Sequence, residues 1–504
     1  MNNKIEKSLR QIIQFRNEKL NRIREMGVNP YPYKYDASHR SLEIINNYDE
    51  LEGKSVSVAG RIVSMRRMGK ASFFHIQDQE GKIQIYIKKD DVKEDDYKLF
   101  KLLDIGDYVG VKGSVFKTKT GEISVSTDTI TLLSKSLRPL PGTKEKDGKT
   151  FHTFADKEQR YRQRYLDLIV NPKIKDVFIK RAKIIQSIRD FLDCQRFLEV
   201  ETPVLQPLYG GAFAKPFTTR HETLDRELYL RISDELYLKR LIIGGFEKVY
   251  ELSKVFRNEG MDRNHNPEFT MLEFYITYVD YVYLMDFTEK LIQSVAESVE
   301  VTDLEMNGHK IDLMQPFRRA SYMDLLSEGV GEDISEADEE HLRKLCDSRG
   351  IELEKGTHLG KIYEVLMREF VEPDLMKPTF IIDYPIVISP LAKSRRDGNE
   401  KIVERFELFI GGCELANAFS ELNDPLEQRK RFEQQVTLRE AGDEEAQTLD
   451  EDFLRAVEIG MPPTGGVGIG IDRLTMLITE RKTIKDVILF PAMRSLNKET
   501  EAPD

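Results

Sequence analysis

Two arginines, each placed at the end of a strand, constrain this chain more than any other feature. Arg257 follows an apolar run in Val255-Phe256-Arg257-Asn258-Glu259, with His265-Asn266-Pro267-Glu268-Phe269 a few residues on. Arg473 closes Gly466-Val467-Gly468-Ile469-Gly470-Ile471-Asp472-Arg473, a glycine-alternating strand at the head of an apolar helical run. This combination suits a nucleoside triphosphate. Guanidinium forks match phosphate oxygens, and a flat ring opposite a guanidinium plane suits adenine.

The remaining composition sets bounds. A chain of 504 residues accommodates roughly two to four domains. Charged residues reach 32%, above the ~25% of ordinary soluble domains. A net charge of −11 argues against a uniformly basic nucleic-acid surface, although a local basic face can coexist with an acidic whole. Cys194, Cys346 and Cys413 lie far apart, without metal-ligand or redox spacing. The first 26 residues are charged throughout and carry no apolar signal core. No apolar run approaches a membrane span. The expectation is a cytoplasmic protein with no membrane segment.

Along the chain, residues 1–50 read as a helix over 4–26 with a lead-in. The helix carries Lys4, Lys7, Arg10, Arg16, Lys19, Arg22 and Arg24, serving either as a solvated docked helix or as an added RNA contact. Residues 51–138 read as five short strands, near 57–63, 71–78, 82–87, 108–115 and 123–126, with a helical stretch near 95–103. That is the pattern of a small OB-type barrel. Arg61, Arg66, Arg67 and Lys70 lie near Phe73 and Phe74. Strand alternation allows at most one of these two rings into the core, and an exposed one beside basic residues suits base stacking. A Pro/Gly-bearing linker with the charged stretch 144–149 covers 139–165, and 166–504 form the large domain. Its charged helical segment 322–373 reads as an insertion.

Three carboxylates stand out in the large domain. Along Phe269-Thr270-Met271-Leu272-Glu273-Phe274-Tyr275, alternation puts Phe269, Met271, Glu273 and Tyr275 on one face. A carboxylate there needs either an edge position or a binding role. Along Leu415–Glu421, Asn417, Phe419 and Glu421 share a face opposite Ala416, Ala418 and Ser420. Glu235 sits at a helix start. Carboxylates with aromatic rings fit a ligand with an apolar stem and a cationic head, such as lysine. Glu407 and Glu414 are seven apart, on opposite faces of a regular strand, unless Gly411-Gly412 provides a bulge or turn that pairs them for a divalent cation.

The two arginine segments resemble motifs 2 and 3 of class II aminoacyl-tRNA synthetases, and the details are similar to the bacterial lysyl-tRNA synthetase family. The resemblance covers nearly the whole chain. It implies an α+β fold: an N-terminal OB-fold barrel plus a catalytic domain on an antiparallel sheet flanked by helices. It implies ATP and Mg²⁺, L-lysine and tRNA(Lys) as partners, and a homodimer through motif 1. Motif 1 is matched by the helix 174–193 and the Pro203-bearing segment after it. It assigns Arg257 and Arg473 to catalysis, and Arg257, Glu259, His265, Asn266, Phe269 and Arg473 to ATP. Gly211, Glu235, Glu273, Tyr275, Asn417, Phe419 and Glu421 fall to lysine, Glu407 and Glu414 to the metal. Phe73, Gln84 and Glu122 fall to the anticodon. One departure is visible: many bacterial members carry arginine just before the motif 2 histidine, where this chain has Asn264, with Arg263 one step earlier. The rivals are an aspartyl- or asparaginyl-tRNA synthetase and a non-catalytic RNA-binding or signalling paralogue. The first would need cations in the pocket, and the second would tend to lose ATP-site residues.

Overall fold

The computed structural model describes residues 2–141, 143–146, 149–152, 154–353, 357–440 and 448–495. The chain divides into two compact units, 1–155 and 156–504.

The first unit begins with helix α1, Asn2–Glu25, which ends ahead of a left-handed Gly27 (φ 74°). The strands are β1 (Ser55–Met68), β2 (Ala71–Gln77), β3 (Lys82–Lys88), β4 (Tyr108–Lys117) and β5 (Ile123–Ser134), with α2 (Glu94–Leu102) between β3 and β4. They close a barrel in the order β1-β2-β3-β5-β4. β5 runs farther than its pattern predicts. Its polar stretch from Thr127 stays in the ladder with β4 through register shifts, which an alternation count does not register. Alternation decides the Phe73-Phe74 question. Phe74 is fully buried beside Phe100, and Phe73 faces outward.

Part of the basic character of α1 is structural. Arg16 donates to the carbonyls of Ser136, Arg138 and Ile105, each at 3.0 Å. Lys19 reaches Asp104 at 2.6 Å, and buried Lys135 joins Asp104 to Asp107. These charges dock the helix, while Arg10, Arg22 and Arg24 stay exposed. The side chains of Lys4 and Lys7 lie outside the described residues. The stretch read as linker holds a hairpin, Thr143–Lys146 with Lys149–His152, and helices from Lys157 onward. Asp147 and Gly148 lie outside the described residues.

The second unit is built on one sheet. Its strands are β6 (Leu198–Glu199), β7 (Lys248–Phe256), β8 (Glu268–Thr277), β9 (Arg318–Ser321), β10 (Thr379–Pro385), β11 (Ile402–Ile410), β12 (Cys413–Ser420) and β13 (Thr464–Gly470). The order is β9-β10-β11-β12-β13-β8-β7-β6, antiparallel except at the two edge pairs. Helices α3 (Ile174–Cys194), α5 (Tyr281–Ser298) and α9 (Ile471–Ile478) supply Ile188, Leu291 and Leu474 to a core that also takes Val467 and Ile469 of β13. The opposite face is left for the site. Helix α4 (Glu235–Ile243) precedes β7, and α6 (Tyr322–Val330), α7 (Glu339–Ser348) and α8 (Leu359–Phe370) form the insertion, which shares a core with Ile381 and Tyr384 of β10 and Val403 and Phe409 of β11. The strand after α3 pairs over Leu198–Glu199, the Val200 N–H still reaches the Tyr250 carbonyl at 2.9 Å, and Pro203, without an N–H, cannot extend the ladder. Beyond it, Thr202 is held by Glu251 through its N–H (3.1 Å) and hydroxyl (2.7 Å).

Candidate active site

The three central strands present the site. β13 lies between β8 and β12, so Gly466 is flanked by Tyr275 and Phe419, and Gly468 by Glu273 and Asn417. With Val467 and Ile469 turned to the helices, the glycines form an open floor. A Cβ at Gly466 would run into the Glu421 carboxylate and the Tyr275 ring. β8 is an interior strand, so Glu273 stands on a binding floor and not on an edge. These side chains, with Gly211, Glu235 and the two arginines, surround a cavity of about 320 Å³.

The carboxylates are buried and specifically held. Glu273 accepts the Ser233 hydroxyl at 2.8 Å and the Asp234 N–H at 3.1 Å. Burial, with Asp234 and Glu235 adding repulsion, pushes it up to about 8. Glu235 opens α4, and its N–H donates to Ser233 Oγ at 3.2 Å. Gly211, at φ 86°, passes so close that a Cβ would stand 2.9 Å from Ser233 Oγ. Lys239, one turn along α4, is fully buried. Its ammonium lies 2.5 Å from Glu235, pairs also with Glu421, and sits 5.3 Å from the Phe419 ring centre. Burial works against that charge, but the two carboxylates outweigh it and hold Lys239 above the ordinary lysine range. Glu421 Oε1 is buried without a hydrogen-bond partner among the described residues. Asn417 is oriented by Arg405, whose Nε donates to its Oδ1 at 3.1 Å, leaving the amide NH₂ for a ligand.

The other half carries the arginines. The Arg257 guanidinium lies 5.2 Å from the Phe269 ring centre. Among the described residues it makes no ion pair, only a long hydrogen bond to the Ile232 carbonyl at 3.4 Å. Desolvation lowers its pKa, so an anion would be welcome there. Arg473 donates to Glu414, at its carbonyl (2.8 Å) and carboxylate (3.1 Å), and to His265 Nε2 at 3.1 Å. Arginine only donates, so this Nε2 accepts and the ring proton sits on Nδ1, 2.8 Å from Asp262. Glu259 and His265 are exposed at the pocket mouth. The Asn266 side chain is engaged with the Glu268 carbonyl (2.6 Å) and the Ala492 N–H (3.2 Å), so it holds the loop. Asn264, just before His265, lines the pocket.

Glu407 does not line the cavity directly. Its oxygens take Arg405 at 2.6 Å and Tyr384 at 2.8 Å. The parity problem with Glu414 is solved by a bulge. Leu408 faces Ala416 but Phe409 faces Glu414, so Leu415 is the extra residue and Glu414 turns toward the Glu407 side. Gly411 and Gly412, both left-handed at φ 66° and 73°, make the turn. Burial and then repulsion from Glu414 lift Glu407 to about 7. Two carboxylates that repel each other, Glu414 at the cavity wall and Glu407 behind it, have the chemistry of a Mg²⁺ site that takes its other ligands from water and phosphate.

Sequence reasoning missed three supporting residues. Lys239 and Arg405 are two. Asp472 is the third, accepting the Thr270 N–H at 2.6 Å and pairing with Arg181 of α3 at 2.6 Å. It thereby fixes the start of α9 and the arginine beside it.

On the barrel, Phe73, Tyr86 and Phe116 form an outward aromatic row, with ring centres 4.9 and 5.9 Å apart. Beside it, Glu122 accepts from Gln84 at 2.6 Å and pairs with His75 at 2.8 Å. Strand parity could have added His75 and Tyr86 to the expected set. Arg61 covers Tyr108, and Arg67 donates to the Leu103 carbonyl. Arg66 and Lys70 make no ion pair among the described residues.

Residues 156–494 match the family described as tRNA synthetases class II (D, K and N), and residues 56–133 match the OB-fold nucleic acid binding domain. The chain is 52% identical over 493 residues to the lysine–tRNA ligase of Thermoanaerobacter pseudethanolicus, covering 97% of each. It is 52% identical over 479 residues to that of Moorella thermoacetica, covering 95% of this chain and 96% of that one. It is 50% identical over 490 residues to that of Porphyromonas gingivalis, covering 95% and 85% respectively.

Proposed function

Since the chain belongs to the class II tRNA synthetases, and within them to the lysine–tRNA ligase family, we propose that it joins L-lysine to tRNA(Lys) through a lysyl-adenylate. The observation that carries the choice of amino acid is the floor of three buried carboxylates, Glu235, Glu273 and Glu421, with one Glu421 oxygen lacking a partner among the described residues.

The lysine stem lies along Phe419, with the ε-ammonium on Glu421 and Tyr275 and the α-ammonium on Glu235. Glu273 and Asn417 complete the cradle, and Gly211 gives the backbone close approach. Adenine stacks on Phe269, with Glu259 at its amino group and Arg473 across its other face. Arg473 and His265 reach the γ-phosphate, and Arg257 reaches the α-phosphate. A lysine carboxylate oxygen attacks the α-phosphorus, the bond to pyrophosphate breaks, and Arg257 neutralises charge at the pentavalent phosphorus. The terminal ribose hydroxyl of the tRNA then attacks the lysyl carbonyl and AMP leaves. No protein nucleophile is needed, since positioning and preorganised charge do the catalysis. Glu407 and Glu414 would hold Mg²⁺, which when bound neutralises triphosphate charge. Phe73 stacks on an anticodon base, with Gln84 and Glu122 reading beside it. Exposed Ile179, Leu198 and Leu205, on and after α3, support a homodimer through this face. No helix among the described residues is long and apolar enough to cross a membrane, and the three cysteines are unpaired, which supports a cytoplasmic location.

The test is amino-acid-dependent ATP–pyrophosphate exchange with all twenty amino acids. Lysine should dominate. An aspartyl or asparaginyl enzyme would respond to its own substrate instead, and a non-catalytic paralogue to none.

A further inference from the structure

With Glu235 and Glu421 read as contacts for the two ammonium groups of the substrate, one charged side chain behind the pocket wall has no assigned task. Lys239 is fully buried, and its ammonium touches one oxygen of each carboxylate. We propose that Lys239 is a positioning residue for lysine recognition, bracing Glu235 and Glu421 from behind so that both meet the substrate as fixed, ionised acceptors. The inference rests on the lysine-pocket reading above.

The geometry is specific. Glu235 and Lys239 are one turn apart on α4, so the lysine reaches back along its helix, while Glu421 arrives from the end of β12. The second Glu421 oxygen points at the space that Gly466 leaves open. The titratable groups facing this trio are Glu273 and Tyr275 of β8, Asp234 before α4, and Arg405 of β11. Phe419 and Phe453 supply apolar walls. Arg405 is already shared between Asn417 and Glu407, and Arg231 between Asp234 and Glu251. Among the described residues, that leaves Lys239 as the cation for the pair. Two buried carboxylates this close, with no cation between them, cannot both stay ionised, and a protonated one offers a donor to an incoming ammonium. Burial raises both Glu235 and Glu421, and Lys239 is the charge that opposes this most in each case; with both carboxylates ionised the trio would carry one net negative charge, matching the one net positive charge of lysine.

The test is lysine binding to the full chain by isothermal titration calorimetry near neutral pH, in two buffers of different ionisation heat. The proteins are the unsubstituted chain, Lys239→Met, Lys239→Gln and Lys239→Arg. A neutral residue should leave a proton on the carboxylate pair that lysine must displace. The Met and Gln variants should bind lysine about tenfold or more weakly and release about one more proton per lysine than the unsubstituted chain. Arginine should restore both, and ATP affinity should stay within about twofold. Unchanged proton release in whichever neutral variant folds overturns the proposal. So does equal weakening of ATP and lysine with no rescue by arginine. Glu421→Gln separates the two layers. If it binds lysine normally, the pocket reading itself fails. If it binds lysine weakly while proton release is unmoved by the Lys239 changes, only the present inference falls.

Discussion

Replacing Gly466 by alanine tests the open floor most directly. The added Cβ would overlap the unpartnered Glu421 oxygen and the edge of the Tyr275 ring. Neither neighbour can retreat cheaply. Tyr275 belongs to a strand paired on both sides, and Glu421 is tied to Lys239. Overpacking of this kind costs about 1–3 kcal/mol, equivalent to a rise of roughly 5- to 150-fold in the Michaelis constant for lysine. The Michaelis constant for ATP should hold, because Arg257 and Phe269 are not touched. Gly468 is the internal control. A Cβ there meets Met271 Sδ at 3.7 Å and Glu273 Cγ at 3.9 Å, ordinary contacts with the protein. Gly468→Ala should therefore melt within about 2 °C of the parent, while Gly466→Ala loses stability along with lysine affinity. The assay is pyrophosphate exchange with lysine and ATP titrated separately, beside thermal melts. A Gly466→Ala protein with normal lysine affinity, or a Gly468→Ala protein equally destabilised, would refute the reasoning.

Three other outcomes are expected. Arg257→Ala should lower the rate of adenylate formation by ~10²–10³ with little change in lysine binding, and a raised Michaelis constant for ATP at normal turnover would remove its transition-state role. Phe73→Ala should weaken tRNA charging by the equivalent of ~1–3 kcal/mol of stacking and leave tRNA-independent exchange intact; equal loss in both reactions would mark Phe73 as structural. Glu273 is raised from 4.5 to about 8 in the folded protein. Its contribution to stability is therefore full below pH 4.5 and is lost as pH rises through about 8. Melting temperatures across that window should favour Glu273→Gln increasingly with pH, and a constant difference between the two proteins would contradict the raised value.

Strand parity made much of this molecule legible. It separates Phe73 from Phe74, and it puts Glu273 with Tyr275 and Asn417 with Phe419 from the residue pattern alone. What parity could not supply was depth. Glu235 and Lys239 stand i, i+4, the spacing of an ordinary surface ion pair. Only the packing of α4 against the sheet and Phe453 makes that pair a buried one. Arg405 was hidden for a related reason, since a charge on an apolar strand reads as solvent-facing until Asn417, Glu407 and the Ile388 carbonyl are seen to surround it. The bulge at Leu415 has no residue signature of its own; Gly411-Gly412 announces a turn but not which strand gains the extra residue. Asn266 shows the converse case, a motif residue whose side chain is occupied in holding its own loop.

The placement of the pocket has a kinetic consequence. Its amino-acid half is carried by β8, β12 and β13, each hydrogen-bonded on both edges, so opening there requires disrupting the middle of the sheet. Its nucleotide half includes the solvent-exposed stretch from Asn258 to His265, hung on turns and a few loop hydrogen bonds. Amide hydrogen exchange should divide accordingly, slow on the three strands and fast on the loop. Lysine would then enter a socket that is already shaped, at a rate set by encounter. ATP would meet a half built partly from an exposed loop with fewer backbone bonds, and its arrival would be the step more sensitive to how that loop is held.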